Sequence, residues 1–214
     1  MSGRPAPVPL LIACGLGIER LALRGAGRGR AGGPVTVLRT GMGPKAAGRS
    51  VTRALGDPAL SGAAVLATGF CAGLAPGMHP GDLVVAETAI GPDGVTTPCV
   101  GTGLLTEELR RAAPGRAVHR GALTGSDHVV RGRERSALLR TGAIAVDMES
   151  AVTLQCAVRA GAHPVAAVRV IVDAPEHELV RIGTVRGGIS AFRVLRSVFP
   201  AFFEWHRSLL LPRR

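Results

Sequence analysis

A chain of 214 residues with 46% hydrophobic residues and 30 glycines is long enough for one domain with a substantial core and many tight turns. No run approaches the ~20 apolar residues that span a bilayer, and Met1–Pro9 shows no secretory pattern, so a cytoplasmic protein is expected. The net charge of +11 is almost entirely arginine, because Lys45 is the only lysine; Tyr is absent, and five of the six Phe and Trp residues lie between Phe192 and Trp205. Nucleic-acid binders interleave aromatics with their basic charge, and this chain does not.

Cys14, Cys71, Cys99 and Cys156 form no C-x-x-C pair, which argues for free thiols over disulfides or zinc, and no metal is expected. Val8–Cys14 reads as a buried strand, and Gly15-Leu16-Gly17 turns from it into a short helical pattern over Ile18–Leu23 that carries Glu19. Arg20 stands where a dinucleotide fingerprint needs its third glycine, so that motif is incomplete. Gly25–Gly33 is a Gly/Arg loop. Val35–Thr40 alternates as a strand, and Gly41-Met42-Gly43-Pro44 leads into a helix to Leu55, with Pro44 suited to its first turn.

Ala63–Thr68 is the next buried strand, followed by the glycine-bearing turn Gly69–Gly77, where backbone N–H groups can approach a ligand. Leu83–Glu87 is a strand, Gly91–Gly103 a loop or hairpin, and Thr106–Ala113 a helix with Thr106 as N-cap. Val118–Thr124 is a strand running into Gly125-Ser126-Asp127-His128-Val129-Val130, and Arg131–Arg140 a charged helix. Gly142–Val146 is a strand feeding a helical pattern from Met148 to Ala160, closed by Gly161. Val168–Asp173 is a last buried strand. Strands alternating with helices imply a three-layer α/β/α sandwich around a central mixed sheet, with residues 1–214 as one domain.

Two acids end neighbouring elements, Glu149 and Asp173, where an α/β protein keeps its ligand crevice. Taken alone, Asp147, Glu149 and Ser150 serve a helix N-terminus equally well, and Asp173 serves as a cap. His177, in the polar stretch Pro175–Glu178, reads as solvated surface. His128 is divided between a binding and a structural role.

The set of turns Thr40–Gly43, Ala67–Pro76 with Gly81-Asp82, Gly125–Asp127, Val146–Glu149 and Arg169–Asp173 resembles, in order and spacing, the purine nucleoside phosphorylase and methylthioadenosine/adenosylhomocysteine nucleosidase superfamily over about residues 8–180. Within it the chain looks most like the hopanoid-associated phosphorylase branch, whose implied substrate is adenosylhopane. The resemblance implies that Glu149 accepts hydrogen bonds from ribose hydroxyls, that Met148 packs on the sugar, and that Asp173 is the general acid at purine N7. Ser126, Asp127, His128 and Val129 would line the base pocket, while Gly41, Gly43, Thr68 and Gly69 would offer donors to the sugar or nucleophile. Asp173 must then hold a proton near neutral pH, which needs burial and which Arg169 opposes if it lies close.

Glu19 is the nearest match to the water-activating glutamate of hydrolytic members, one position off the expected spacing. Ala67 stands where phosphorolytic relatives place an arginine, so phosphate would rely on backbone N–H groups with Arg39 or Lys45. Phosphorolysis is the slightly favoured expectation, with inorganic phosphate as co-substrate and no other cofactor; methylthioadenosine/adenosylhomocysteine hydrolysis and a non-catalytic nucleoside- or lipid-binding protein are the alternatives. A homodimer or larger homo-oligomer is implied.

Residues 187–211 stand apart. On a helical wheel Arg193, Arg196, Ser197, Glu204, Arg207 and Ser208 form a polar stripe, and Phe192, Leu195, Val198, Phe199, Phe202, Phe203, Trp205 and Leu209 fill the rest. Pro200 is expected to divide the segment into two helices. The segment reads either as a last helical layer on the sheet or a partner, or as an interfacial helix. From Arg181 to Arg214 it carries seven arginines against one acid, a charge suited to an anionic membrane.

Overall fold

The computed structural model describes residues 7–24, 32–161, 163–175 and 183–210, with side chains from 190 onward in the last segment. His177 and most of the Gly25–Gly33 loop lie outside the described residues. Eight strands, β1 (Leu10–Cys14), β2 (Val35–Arg39), β3 (Ala64–Gly73), β4 (Leu83–Ile90), β5 (Thr96–Pro98), β6 (Val118–Gly125), β7 (Ala143–Asp147) and β8 (Val165–Asp173), form one mixed sheet. Six helices surround it: α1 (Gly17–Ala22), α2 (Pro44–Leu55), α3 (Thr102–Ala112), α4 (Arg133–Arg140), α5 (Ser150–Ala160) and α6 (Gly183–Ser208).

The central strands are buried on both faces, as their near-continuous apolar runs require. Leu10, Ile12, Leu66, Leu83, Val85, Val168 and Val170 point to one face and pack with α3 and α6. Leu11, Val65, Ala67, Val84, Ala86, Ala167 and Ile171 point to the other, where α5 lies with α2. Period-2 alternation thus feeds two apolar clusters, giving the three expected layers.

The sheet is not flat. β3 pairs in parallel with β1 up to Thr68 opposite Cys14, then on the same flank meets β7 antiparallel from Ala72 opposite Val146. On its other flank β8 runs in parallel, and β8, β4, β6 and β7 pair in succession back to β3. Five strands therefore close a ring, with β1 and β2 splayed from it and β5 as a hairpin on β4. Between Thr68 and Ala72, β3 changes neighbours, and the gap left there is a topological switch point.

Several local expectations change. The strand continues through Gly69 to Gly73 where a turn was expected, because Gly69 takes φ +135° and a bulge follows at Cys71–Ala72, so the chain bends without leaving the sheet. Helix α3 starts at Thr102; Thr106 lies inside it, its hydroxyl donating to the Thr102 carbonyl at 2.8 Å. The N-cap of α3 is Gly101, at φ +67°, where a Cβ would come within 2.7 Å of the Trp205 indole. Met148 and Glu149 precede α5, which begins at Ser150; Asp147 accepts from its N–H at 3.0 Å. The stretch Gly91–Gly103, expected as a loop or hairpin, supplies the turn and the second strand, β5, of a hairpin whose first strand, β4, precedes it.

Pro200 does not divide the C-terminal segment: α6 is one helix with the proline inside it. The lost backbone bond is offset by burial, since Leu195, Val198, Phe199, Phe202, Phe203 and Trp205 are at most 3% exposed. The Trp205 indole donates to the Val100 carbonyl at 2.9 Å, and Phe199 meets Phe203 edge-on at 4.8 Å between centroids. Arg193, Arg196, Ser197 and Arg207 face outward. The wheel is as expected, and its apolar side is used by the core. Among the described residues no helix is long and apolar enough to cross a membrane.

Candidate functional site

The ends of β1, β7 and β8 converge on the gap beside β3. A cavity of about 260 Å³ opens there, lined by Leu16, Glu19, Met42, Phe70, Cys71, Ala72, His128, Val129, Val130, Val146, Asp147, Met148, Glu149, Val172 and Asp173. Its size lies near the lower end of small-molecule pockets (about 300 Å³ and upward).

Glu19 arrives from the first turn of α1. It is 2% exposed; one oxygen accepts from the Leu16 N–H and the other from the Phe70 N–H, each at 2.8 Å. Burial pushes its carboxyl above the ordinary range, with Arg169 the main opposing influence. A buried carboxyl fixed at both oxygens and raised in this way suits a general base.

Glu149 faces it from the β7–α5 junction. Its Oε1 accepts from the Gly43 N–H at 2.9 Å, and its Oε2 stands 3.8 Å from Arg169 Nη1. Burial raises this carboxyl too, again opposed chiefly by Arg169. Gly15 makes room for it: a Cβ there would sit 3.0 Å from the Glu149 carboxyl carbon.

Arg169, on β8, is buried beneath both acids. Its Nη2 pairs with Asp147 at 2.5 Å and its Nε donates to the Ser150 hydroxyl at 2.9 Å. Burial pulls its pKa down, but Asp147, Glu149 and Glu19 together hold it above its ordinary value, so it is charged. Its Nη1 has no hydrogen-bond partner among the described residues. That nitrogen and the Glu19 carboxylate both crowd the place where a Cβ on Gly69 would stand.

Asp173 closes the opposite end. Arg169 is not its neighbour; its Oδ2 pairs instead with Nη2 of Arg135, a buried residue of α4. Asp173 Oδ1 has no partner among the described residues. At the rim His128 bonds to Asp127 at 2.7 Å and Glu134 at 2.9 Å; these two carboxylates hold the imidazole above its ordinary pKa.

The sequence-predicted set divides accordingly. Glu19, Met148, Glu149, Asp173, His128 and Val129 line the cavity. Gly41, Gly43, Thr68, Gly69, Ser126, Asp127 and Arg169 do not. Gly43 gives its N–H to Glu149, Ser126 donates to the His128 carbonyl within its own loop, and the Thr68 hydroxyl is buried without a partner among the described residues. Arg39 and Lys45, considered for phosphate, are exposed and line no part of the cavity. Leu16, Phe70 and Arg135 are not marked as site residues in the sequence reading, and Asp147 reads there only as a helix-terminus acid. No group of His, Cys, Asp and Glu among the described residues could hold a metal.

The fold is shared with solved nucleosidases at low identity. The S-adenosylhomocysteine nucleosidase of Streptococcus pyogenes, in complex with 5-methylthiotubericidin, superposes with a TM-score of 0.78 at 19% identity over 94% of this chain and 98% of that one. The 5′-methylthioadenosine/S-adenosylhomocysteine nucleosidase of Neisseria meningitidis, in complex with methylthio-immucillin-A, gives 0.73 at 20% over 91% and 98%. That of Colwellia psychrerythraea, in complex with adenine, gives 0.74 at 15% over 93% and 96%. No curated protein matches in sequence. The family model of the Phosphorylase superfamily matches residues 26–198, a span that takes in β2 to β8 and most of α6, and by this match the chain belongs to the Phosphorylase superfamily and is an enzyme of that family.

Proposed function

We propose that this enzyme hydrolyses the N-glycosidic bond of a purine nucleoside, releasing adenine, with water as the nucleophile. The observation that carries the reading is the position of Glu19: buried, held at both oxygens by backbone N–H groups, and lining the same cavity as Glu149 and Asp173. The solved nucleosidases of the same fold, one of them bound to adenine, support the leaving base.

Each step has a residue. Asp173 gives a proton to purine N7 as the C1′–N9 bond breaks and its electron pair passes to the base. The sugar becomes oxocarbenium-like, and the Glu149 carboxylate binds ribose hydroxyls and stabilises the positive charge. Water adds its oxygen to C1′ and its proton goes to Glu19, so a proton leaves Asp173 and one arrives at Glu19. Exchange with solvent resets both. Met148 packs on the sugar.

Water is favoured over phosphate by charge. The crevice sets Glu19, Asp147 and Glu149 against the single guanidinium of Arg169. A phosphate dianion would enter a site already short of positive charge, in a low-dielectric surrounding that magnifies the repulsion. This reverses the slight expectation of phosphorolysis.

The 5′ substituent is apolar in this reading, because Leu16, Met42, Phe70 and Val129 line that cavity. A methylthio group fits within it. The adenosylhopane substrate rests on the sequence resemblance; its triterpene exceeds a cavity of about 260 Å³ and would extend past Met42 and Val129, which are 65% and 61% exposed. Exposed Ile18 and Leu21 on α1 add apolar surface that suits a second copy of the chain. Peripheral membrane contact through the C-terminal helix has lost its main support, since Leu195, Val198, Phe199, Phe202, Phe203 and Trp205 of α6 are buried.

The test is adenine release from 5′-methylthioadenosine with and without added phosphate. Equal rates with free sugar as product are expected, and Glu19→Gln is expected to lower the rate by ~10²–10⁴. Strict dependence on phosphate, or a fully active Glu19→Gln, would sink the hydrolytic reading. No adenine release from any purine nucleoside would favour the binding-protein alternative.

A further inference from the structure

We infer that His128 is a positioning residue of the base pocket: its imidazolium straps the Ser126–Val130 wall of the cavity to α4 through two carboxylates and makes binding of the base depend on pH. This rests on the proposed reading of the cavity as a nucleoside site and names what shapes its base side.

Residues 126–132, between β6 and α4, form neither helix nor strand, yet His128, Val129 and Val130 line the cavity from within them. Val130 is buried, but Val129 is 61% exposed and Gly132 takes φ +51°. A wall built on such a segment keeps its shape only where side chains tie it down. Locally, the Ser126 hydroxyl donates to the His128 carbonyl at 2.8 Å and accepts from the His128 N–H at 3.2 Å. Across the segment the tie is the His128 ring. Its Nδ1 stands 2.7 Å from Asp127 Oδ1, and its Nε2 stands 2.9 and 3.1 Å from the two oxygens of Glu134, in the first turn of α4.

Neutral imidazole has one N–H, and an ionised carboxylate only accepts. Both ties therefore exist together only when the ring carries two protons. The surrounding charges agree. Asp127 and then Glu134 hold the imidazole above its ordinary value of 6.5. The bond from His128, with a smaller pull from the Lys45 ammonium of α2, holds Asp127 below its own ordinary value. The strap is thus closed once both carboxylates are ionised, and it opens as pH rises through the raised imidazole value. With both nitrogens engaged, the ring has no donor left for a ligand; it acts on the base through the wall it holds. Exposed ion pairs are individually weak, so the consequence is a several-fold change in binding and not a loss of the fold.

Adenine, the proposed leaving base, is the probe, so that no step of catalysis enters the measurement. Calorimetric titration of the native protein from about pH 6 to about pH 9 is expected to show affinity falling ~3–10-fold as the ring loses its proton. His128→Arg keeps a cation with donors on two sides at every pH. It is expected to bind across the whole range as the native protein does at low pH. His128→Gln is expected to bind throughout as the native protein does at high pH. Glu19 and Glu149 titrate in the native protein and the arginine variant alike, so the difference between the two reads the strap alone. A second readout is direct. Followed by NMR, the His128 ring is expected to titrate above 6.5, lower in Asp127→Asn and in Glu134→Gln, and higher with adenine bound, because the coupling is reciprocal. Native affinity that is flat with pH, an arginine variant that loosens as the native protein does, or a ring pKa untouched by the two carboxamide substitutions would each overturn the inference, while adenine binding would still support the functional reading. A native protein that binds no adenine at any pH would overturn both.

Discussion

Replacing Arg169 with Met tests the charge arrangement on which the site depends. The substitution keeps an unbranched side chain in a fully buried position but removes the partner of Asp147 at 2.5 Å, the donor to Ser150 at 2.9 Å and the cation 3.8 Å from Glu149. Removing one member of a buried pair strands the other, at a cost of about 3–5 kcal/mol. For a domain of 150–250 residues each kcal/mol moves Tm by roughly 2–4 °C, so a fall of about 6–20 °C is expected. The pH dependence carries a sign. Burial holds Glu19 and Glu149 above their ordinary value of 4.5, and Arg169 is the main influence pulling them down. Its removal raises both further. A carboxyl whose folded pKa exceeds its unfolded one stabilises the fold fully below the unfolded value and loses that contribution as pH rises through the folded one. The variant should therefore lie nearest the native protein below pH 4.5 and fall further behind as pH rises. Thermal unfolding of both proteins from acid to neutral pH measures this. A loss of less than about 1 kcal/mol at neutral pH, or a deficit that does not grow with pH, would refute the reasoning.

Asp173→Asn should reduce adenine release by ~10²–10⁴ while the protein stays folded, with circular dichroism as the control; undiminished release would remove Asp173 from the mechanism. Gly69→Ala places a Cβ 2.7 Å from Arg169 Nη1 at φ +135°, against Glu19 as well. It should cost both stability and activity, and a variant with native Tm and native rate would contradict the described packing. Pro200→Ala restores an N–H inside α6 and removes the ring from the helix interior. Urea unfolding should show it more stable by up to about 3 kcal/mol, whereas a clear loss would mean that the ring packs too well to be spared.

The parts of the fold legible from sequence are those set by one-dimensional pattern. Runs such as Leu10–Cys14 and Val165–Asp173 are buried on both faces, so hydropathy alone marks them as central strands. Pro44 marks the start of α2, and the apolar stripe from Leu195 to Trp205 marks the buried face of α6. Glu149 and Asp173 were legible as acids at strand ends. What pattern could not supply is which flank of β3 is occupied along its length. That partner change decides where the crevice opens and how Glu19, on α1 just after β1, comes to face Glu149, at the β7–α5 junction. Arg135 was hidden for a different reason: α4 is rich in charge and reads as solvated. A signal existed, since Arg135 stands three and four residues before Leu138 and Leu139, which pack against the small apolar cluster near β7. An arginine on the apolar stripe of a charged helix invites a search for a buried acid.

The overall charge and the charge of the site point in opposite directions. The chain carries +11, and its exposed arginines, on α1, α2 and α6 among others, lie on the outside. Around the crevice Glu19, Asp147 and Glu149 surround the one guanidinium of Arg169, and Asp173 is matched by Arg135. An acid-rich interior of this kind is costly unless something positive develops inside it. Substrate in its ground state does not offer that; the sugar does, as the glycosidic bond opens and positive charge gathers at C1′ and the ring oxygen. In the proposed mechanism, carboxylates held in place by the Gly43, Leu16 and Phe70 N–H groups meet that charge without reorganising. On the proposed mechanism, the burial that raises the two carboxyls is matched to the charge of the transition state and not to that of the bound nucleoside.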